Sequence, residues 1–208
     1  MYADDIKSIL VSTLLPTLSF DEVLGSEVRF GDGKFRADLV IASPFRLSAI
    51  EIKGPRDNLQ KLTEQASGYS SLFLDFSVAT DDLWLPSVRE RMPRSTGLIA
   101  LRDHDLVTVR MPRVRSRLRA VEALKWLRTD DLRKILRQQG LSSTGHYEAL
   151  CFSAKASFSS SALSQFALKT VYERLLPRYE IFRNELGTTI TLDDIRMLTL
   201  NDQINRRL

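Results

Sequence analysis

The chain opens on a helical pattern. Ile6, Ile9, Leu10 and Thr13 recur at spacings of three and four between Asp4 and Leu15, with Pro16 as the stop. A period of two then takes over: Glu27 to Phe30 alternates, Gly31-Asp32-Gly33 makes a tight turn, and Lys34 to Asp38 continues as a strand. Arg36 to Ile41 and Leu47 to Lys53 are β-branched-rich runs on either side of a Ser-Pro turn, which predicts a hairpin. Gly54-Pro55 ends it, and Asp57 with Gln60 resembles a capping pair for a helix whose buried stripe is Leu59, Leu62, Ala66, Tyr69 and Phe73. Phe76 to Thr80 reads as the next strand. Being reached directly from that helix, it is expected to lie parallel to the strand before it. A short helix from Trp84 to Met92 and a hairpin of residues 97–101 with 106–109 complete this half.

From Val121 onward every apolar pattern has helical spacing, through Leu124, Leu132, Leu136, Leu163, Val171, Leu175 and Ile195. The predicted fold class is therefore α/β: a mixed β-sheet flanked by helices over residues 1–111, then an all-helical extension over residues 112–208. The length, 208 residues with 43% hydrophobic and 27% charged positions, suits one sizeable globular unit with an appendage. Met1 to Ser12 lacks a signal-peptide pattern and no run approaches a membrane span, so a cytoplasmic protein without a membrane partner is expected. A single cysteine, Cys151, excludes an internal disulfide and a thiolate zinc cluster. The two histidines, His104 and His146, exclude histidine-rich metal sites.

The chemistry concentrates in the hairpin. Alternation puts Glu51 and Lys53 on one face and Ile50 with Ile52 on the other, and pairing of the two strands can bring Asp38 beside them. A solvated charged face would explain this set. So would a metal site, since two carboxylates within reach of one ion are what Mg²⁺ takes, with phosphate and water completing its shell. The segment Arg36-Ala37-Asp38 together with Glu51-Ile52-Lys53 resembles the core motif of the PD-(D/E)XK nuclease superfamily, without the proline that gives the motif its name. Gln65 and Tyr69 resemble the Gln-x-x-x-Tyr element of several of its branches, and the whole set resembles an uncharacterised bacterial family within the superfamily.

The resemblance covers roughly the first half of the chain. It implies a restriction-endonuclease-like fold and Mg²⁺-dependent hydrolysis of phosphodiester bonds, DNA being the favoured substrate and Mn²⁺ a substitute ion. On this reading Asp38, Glu51 and the Ile52 carbonyl hold the metal, Lys53 positions water and stabilises transition-state charge, and Gln65 orients Lys53 or the phosphate. The superfamily's first helix often adds an acid. Asp5 is the match here, with a shorter reach than the usual Glu, and capping of the first turn is its alternative role. Glu27 faces either this side or solvent. Tyr69 is either core or a neighbour of the nucleic acid, and Arg36, through its place in the motif, is a candidate nucleic-acid contact.

The pI of about 9.3 and net charge of +4 lean toward a polyanionic partner. Arg113, Arg115, Arg117 and Arg119 crowd the start of the second half, and their guanidinium forks suit phosphate oxygens. Between about residues 130 and 155, Leu132, Leu136, Gly140-Leu141, Gly145 and Leu150 resemble the spacing of the SAP motif, a helical hairpin. Tyr147 and Ser153 stand where that motif has Lys and Arg. The rival class is a non-catalytic module on the same fold that binds nucleic acid or a protein partner, and a homodimer is compatible with either reading.

Overall fold

The computed structural model describes residues 3–31, 33–55, 57–103 and 105–199. Asp32 of the expected turn and His104 of the expected hairpin loop lie outside them. The chain runs α1 (Ala3–Leu14), β1 (Val23–Phe30), β2 (Phe35–Ala42), β3 (Leu47–Lys53), α2 (Leu59–Leu72), β4 (Asp75–Asp81), α3 (Leu85–Arg91), β5 (Gly97–Arg102) and β6 (Asp105–Arg110). Then come α4 (Ala120–Leu124), α5 (Thr129–Gln138), α6 (Tyr147–Ser157), α7 (Ser160–Glu185) and α8 (Leu192–Met197). This is the expected α/β class, with a mixed sheet and a helical C-terminal part. Among the described residues no helix is long and apolar enough to cross a membrane.

The six strands lie in sequence order. β1–β2, β2–β3 and β5–β6 are antiparallel, while β3–β4 and β4–β5 are parallel. The parallel joints follow from covalent connection, because α2 and α3 carry the chain back to start each next strand from the same end. Alternation in β2 and β3 separates two apolar layers. Val40, Ala42, Leu47 and Ala49 face α2 and the C-terminal helices, whereas Leu39, Ile41, Ile50 and Ile52 face α1 through Ile6, Leu10 and Val11.

β1 begins four residues earlier than expected. The run Val23-Leu24-Gly25-Ser26 breaks alternation with Gly and Ser, residues poor in strands. The glycine has a packing reason: a Cβ at Gly25 would lie 2.6 Å from Leu175 Cδ2, so its absence lets α7 rest on the sheet.

Residues 112–208 were expected to append to a finished core, but the helices they form share its apolar interior. Leu118, Trp126, Leu132, Leu150, Leu163 and Leu175 belong to the cluster on the α2 face of the sheet. Phe182, farther along α7, belongs to the cluster on the α1 face with Ile195 of α8. One helix therefore wraps the β1 edge and seals both layers. Polar ties reinforce this: Trp126 Nε1 donates to Leu72 O at 2.7 Å, and Arg115 donates to Ser71 O at 2.6 Å and Phe73 O at 2.9 Å. α5 and α6 form the expected helical hairpin, with Gly140 and Gly145 between them at φ +68° and +114°.

Two outcomes test this shared core. Phe182→Ala should destabilise the whole chain by about 3–5 kcal/mol, the usual effect of emptying an aromatic site. A chain ended at Met111 should lose its cooperative thermal transition in circular dichroism; a sharp transition near that of the full chain would show that the first half folds alone.

Candidate active site

The β2–β3 ladder ends at Leu39 and Ile50, and the next residue along β2 is Asp38. Beyond that end, Asp38 Oδ2 accepts the Ile52 N–H at 2.7 Å. The other neighbour of β2 is irregular at the same level. Glu27 drops out of the β1–β2 register between Ser26 and Val28 and takes φ +56°, a left-handed conformation that costs a non-glycine residue on the order of 1 kcal/mol. Its carboxylate pairs with Lys7 of α1 and with Arg36 Nε, the latter at 2.7 Å.

β3 brings Glu51 and Lys53 to the α2 side, as alternation requires. Glu51 is 3% exposed, so its charge depends on close partners. Oε1 accepts from Lys53 Nζ at 2.7 Å, and Oε2 accepts from the hydroxyl of Tyr69, which also lies 3.1 Å from Arg36 O. Tyr69 is wholly buried, and its ring stacks on Phe76 with centroids 4.2 Å apart. Burial first, and then the Glu51 carboxylate, push the tyrosine pKa far above its ordinary value, so the phenol stays a donor. Burial and then Glu51 also raise the Asp38 carboxyl to about 7, against the opposing pull of the Ile52 N–H and Lys7.

These groups open into a cleft of about 390 Å³, lined also by Asp4, Lys34, Asp57 and Gln65. The side-chain Oε1 of Gln65 is buried there without a hydrogen-bond partner among the described residues. An acceptor left in that state costs free energy unless water, a cation or a donor meets it.

The sequence profile of the family described as bacteriophage P4 protein cII matches residues 2–199. The chain belongs to that family. Protein cII of Enterobacteria phage P4 is 24% identical over 195 residues, covering 90% of this chain and 74% of that protein. Among solved structures, a protein of unknown function from Silicibacter pomeroyi superposes with a TM-score of 0.44 at 20% identity, over 59% of this chain and 79% of that one.

In this P4 cII-family chain Asp38, Glu51, Ile52, Lys53, Gln65 and Arg36 all line the one cleft. Other expectations need correction. Asp5 does not line it; Asp4 does, with Lys7 one turn further along the same face of α1. That three-residue spacing is the signal in the sequence that identifies the pair. Tyr69 is buried beneath Glu51 and so does not touch nucleic acid. The Lys53 ammonium donates to Glu51, and Gln65, expected to orient Lys53 or the phosphate, lines the same cleft. Arg115 is bound to Glu122 at 2.9 Å and to the Ser71 and Phe73 carbonyls, and so serves the fold; Arg119 also pairs with Glu122, at 2.7 Å, with its side chain largely exposed. Arg113 and Arg117 line a different cleft, with Asp75 and Thr96 at the starts of β4 and β5, at the opposite end of the parallel strands. Among the described residues no group of three or more His, Cys, Asp or Glu side chains could hold a metal ion, so any ion here would rest on two carboxylates plus neutral oxygens.

The Asp38 pKa has a measurable consequence. An acid with a higher pKa in the folded than in the unfolded chain stabilises the fold while protonated, so its contribution falls as pH rises from 3.8 through about 7. In metal-free buffer, the stability of wild type relative to Asp38→Asn should therefore decline across that window and level off above it, as read by thermal melts. A difference independent of pH would overturn the assignment. Tyr69→Phe keeps the ring stack and removes one donor from buried Glu51; it should lower stability by about 1–3 kcal/mol in chemical denaturation.

Proposed function

We propose that the cleft is the active site of a metal-dependent phosphodiesterase acting on nucleic acid, DNA being the favoured substrate, built on a PD-(D/E)XK-like core. The observation that carries this reading is the convergence of Asp38, Glu51 and Lys53, from two strands, at the point where those strands part. An ordinary sheet has no need of a carboxylate as buried as Glu51 beside another whose ionisation it opposes. A cation between them would relieve that opposition.

The donor set fits Mg²⁺. This ion takes one or two carboxylates and leaves its remaining positions to water and phosphate. Asp38 has an oxygen beyond the one bound to Ile52 N–H, Glu51 faces it, and Gln65 Oε1 is a buried oxygen lacking a partner among the described residues. As the resemblance implies, the Ile52 carbonyl would join them. Bound Mg²⁺ would supply Lewis-acid stabilisation of charge on the phosphate. The chain's own residues do the rest. Lys53, held 2.7 Å from Glu51 Oε1, is placed to donate to an attacking water or to the charge that develops on phosphoryl oxygens. Tyr69 fixes the Glu51 rotamer from beneath. Lys34 and Arg36 stand at the cleft wall, where their charges favour approach of a phosphate.

A second reading has its own support. Both oxygens of Glu51 and one of Asp38 already have donors within the protein. Such a self-satisfied network would also serve a non-catalytic module that binds nucleic acid or a protein partner on the same fold.

Lys53→Ala separates the two. If Lys53 acts in the chemical step, Mg²⁺-dependent cleavage of single- or double-stranded DNA should fall by a factor on the order of 10² to 10³. The rise in melting temperature caused by Mg²⁺ or Mn²⁺ should persist in Lys53→Ala and disappear in Asp38→Asn, since an ion that binds only the native state stabilises it by mass action. Undiminished cleavage by Lys53→Ala would remove the lysine from the mechanism. Absence of cleavage by wild type with either ion would favour the binding module.

A further inference from the structure

The second cleft, about 630 Å³, lies across the starts of β4 and β5. Its floor is fixed. The segment after β6 crosses it with Arg113 N–H on Ser95 O and Arg115 N–H on Leu74 O, both at 2.8 Å. Arg115 is then tied down by Ser71 O, Phe73 O and Glu122, which leaves Arg113 and Arg117 exposed on a held backbone.

More arginines gather beside it. Arg110, at the end of β6, donates to Thr96 O at 2.7 Å and Pro93 O at 3.0 Å, so its guanidinium lies against the wall that Thr96 forms. Arg94 is next to Pro93 in the same turn, and Arg89 on α3 is close enough that its charge, with that of Arg94, lowers the Arg110 pKa after burial has done so. Among the described residues, none of Arg89, Arg94, Arg110, Arg113 and Arg117 forms an ion pair. The acid lining this cleft, Asp75, accepts from Ser48 Oγ at 2.6 Å. Thr96, 2% exposed, lines the cleft with its Oγ1 lacking a hydrogen-bond partner among the described residues.

Like charges held together without counter-ions repel one another, and an external anion relieves them. One phosphate would engage two or three guanidinium groups. Five, spread over α3, the turn before β5, β6 and the crossing segment, match a ligand with repeated charges. We propose that this cleft and its border are a phosphodiester-binding surface, on which these five arginines and Thr96 hold the backbone of a nucleic-acid strand.

The proposal shares with the preceding one only its nucleic-acid partner, and it stands whether or not the acid cleft cleaves. The two clefts are at opposite ends of β3. From the pair Ser48–Asp75 to the pair Lys53–Thr80 the strands run about 16 Å at ~3.3 Å per residue, so a strand gripped at the arginines is held by phosphates other than any that enters the acid cleft.

The test is binding measured in EDTA, where metal-dependent cleavage plays no part. Fluorescence anisotropy of a labelled 20-nucleotide single strand and of the matching duplex is followed against salt for wild type, Arg94→Gln/Arg113→Gln/Arg117→Gln, and Lys53→Ala. Wild type should bind at least one of the two, and which it binds names the form recognised. The triple variant should bind at least tenfold more weakly, with a log–log salt slope smaller by roughly 2 to 3, about one unit for each phosphate that is no longer neutralised. Lys53→Ala, which removes one charge from the acid cleft, should lose far less affinity than the triple variant, with its salt slope smaller by at most about one unit. Among the described residues the three arginines hold no ion pair, so the triple variant should melt within a few degrees of wild type, which its circular dichroism trace checks. No wild-type binding to either strand form at low salt, or undiminished binding by the folded triple variant, would overturn the proposal. Loss of cleavage in Lys53→Ala with binding largely kept would leave this surface standing.

Discussion

Burial of the Glu51 carboxylate is the constraint around which the first half of the protein is arranged. A charge removed from water at the end of a sheet must find donors at close range, and two elements are committed to providing them. Lys53, two residues along the same strand, reaches one oxygen; Tyr69, fixed by its stack on Phe76, reaches the other. α2 thus packs on the sheet through a ring whose hydroxyl is part of the charged network. The second acid is handled differently. Asp38 takes a backbone N–H where its strand leaves its neighbour, and burial, with Glu51 near, raises its pKa to about 7.

The C-terminal helices serve this arrangement from a distance. α7 closes both apolar layers, on one side through Leu175 over Gly25 and on the other through Phe182. Arg115 and Trp126 take up the carbonyls where α2 gives way to β4. These ties set the far end of α2, and with it the position of Tyr69. A stretch that looks like a basic appendage in the sequence is partly internal scaffolding, and the division of labour among its arginines follows from whether an acid or a free carbonyl lies within reach.

α2 also spans the two clefts. Gln65 lines the acid cleft and Ser70 the arginine cleft. A nucleic-acid strand that met both would run along this helix, gripped by positive charge at one end and presented to carboxylates at the other. On the proposed reading, separating grip from chemistry would avoid a conflict, since carboxylates that attract a metal ion repel a phosphate until the ion is present.

Much of the architecture was legible because it rests on local rules. Period-two runs, the Gly-Asp-Gly turn, the Ser-Pro turn and the helical stripe of Leu59 to Phe73 each name their element, and the single helix between β3 and β4 dictates parallel pairing. The set Asp38, Glu51 and Lys53 was legible too, since alternation fixes that Glu51 and Lys53 share a face of β3 and hairpin pairing can bring Asp38 of β2 beside them. Interactions between distant segments were not legible. No spacing rule shows that Gly25 exists to admit Leu175, that Arg115 is tied to Ser71 O and Phe73 O while Arg113 and Arg117 are exposed, or that Arg89, Arg94 and Arg110 gather at one end of the sheet. Neighbours along the chain share a face by the geometry of the backbone, so the sequence by itself determined the strands, the first helices and the shared face of Glu51 and Lys53. Which charges find partners is a matter of packing between elements far apart in the chain, and only the tertiary structure decided that.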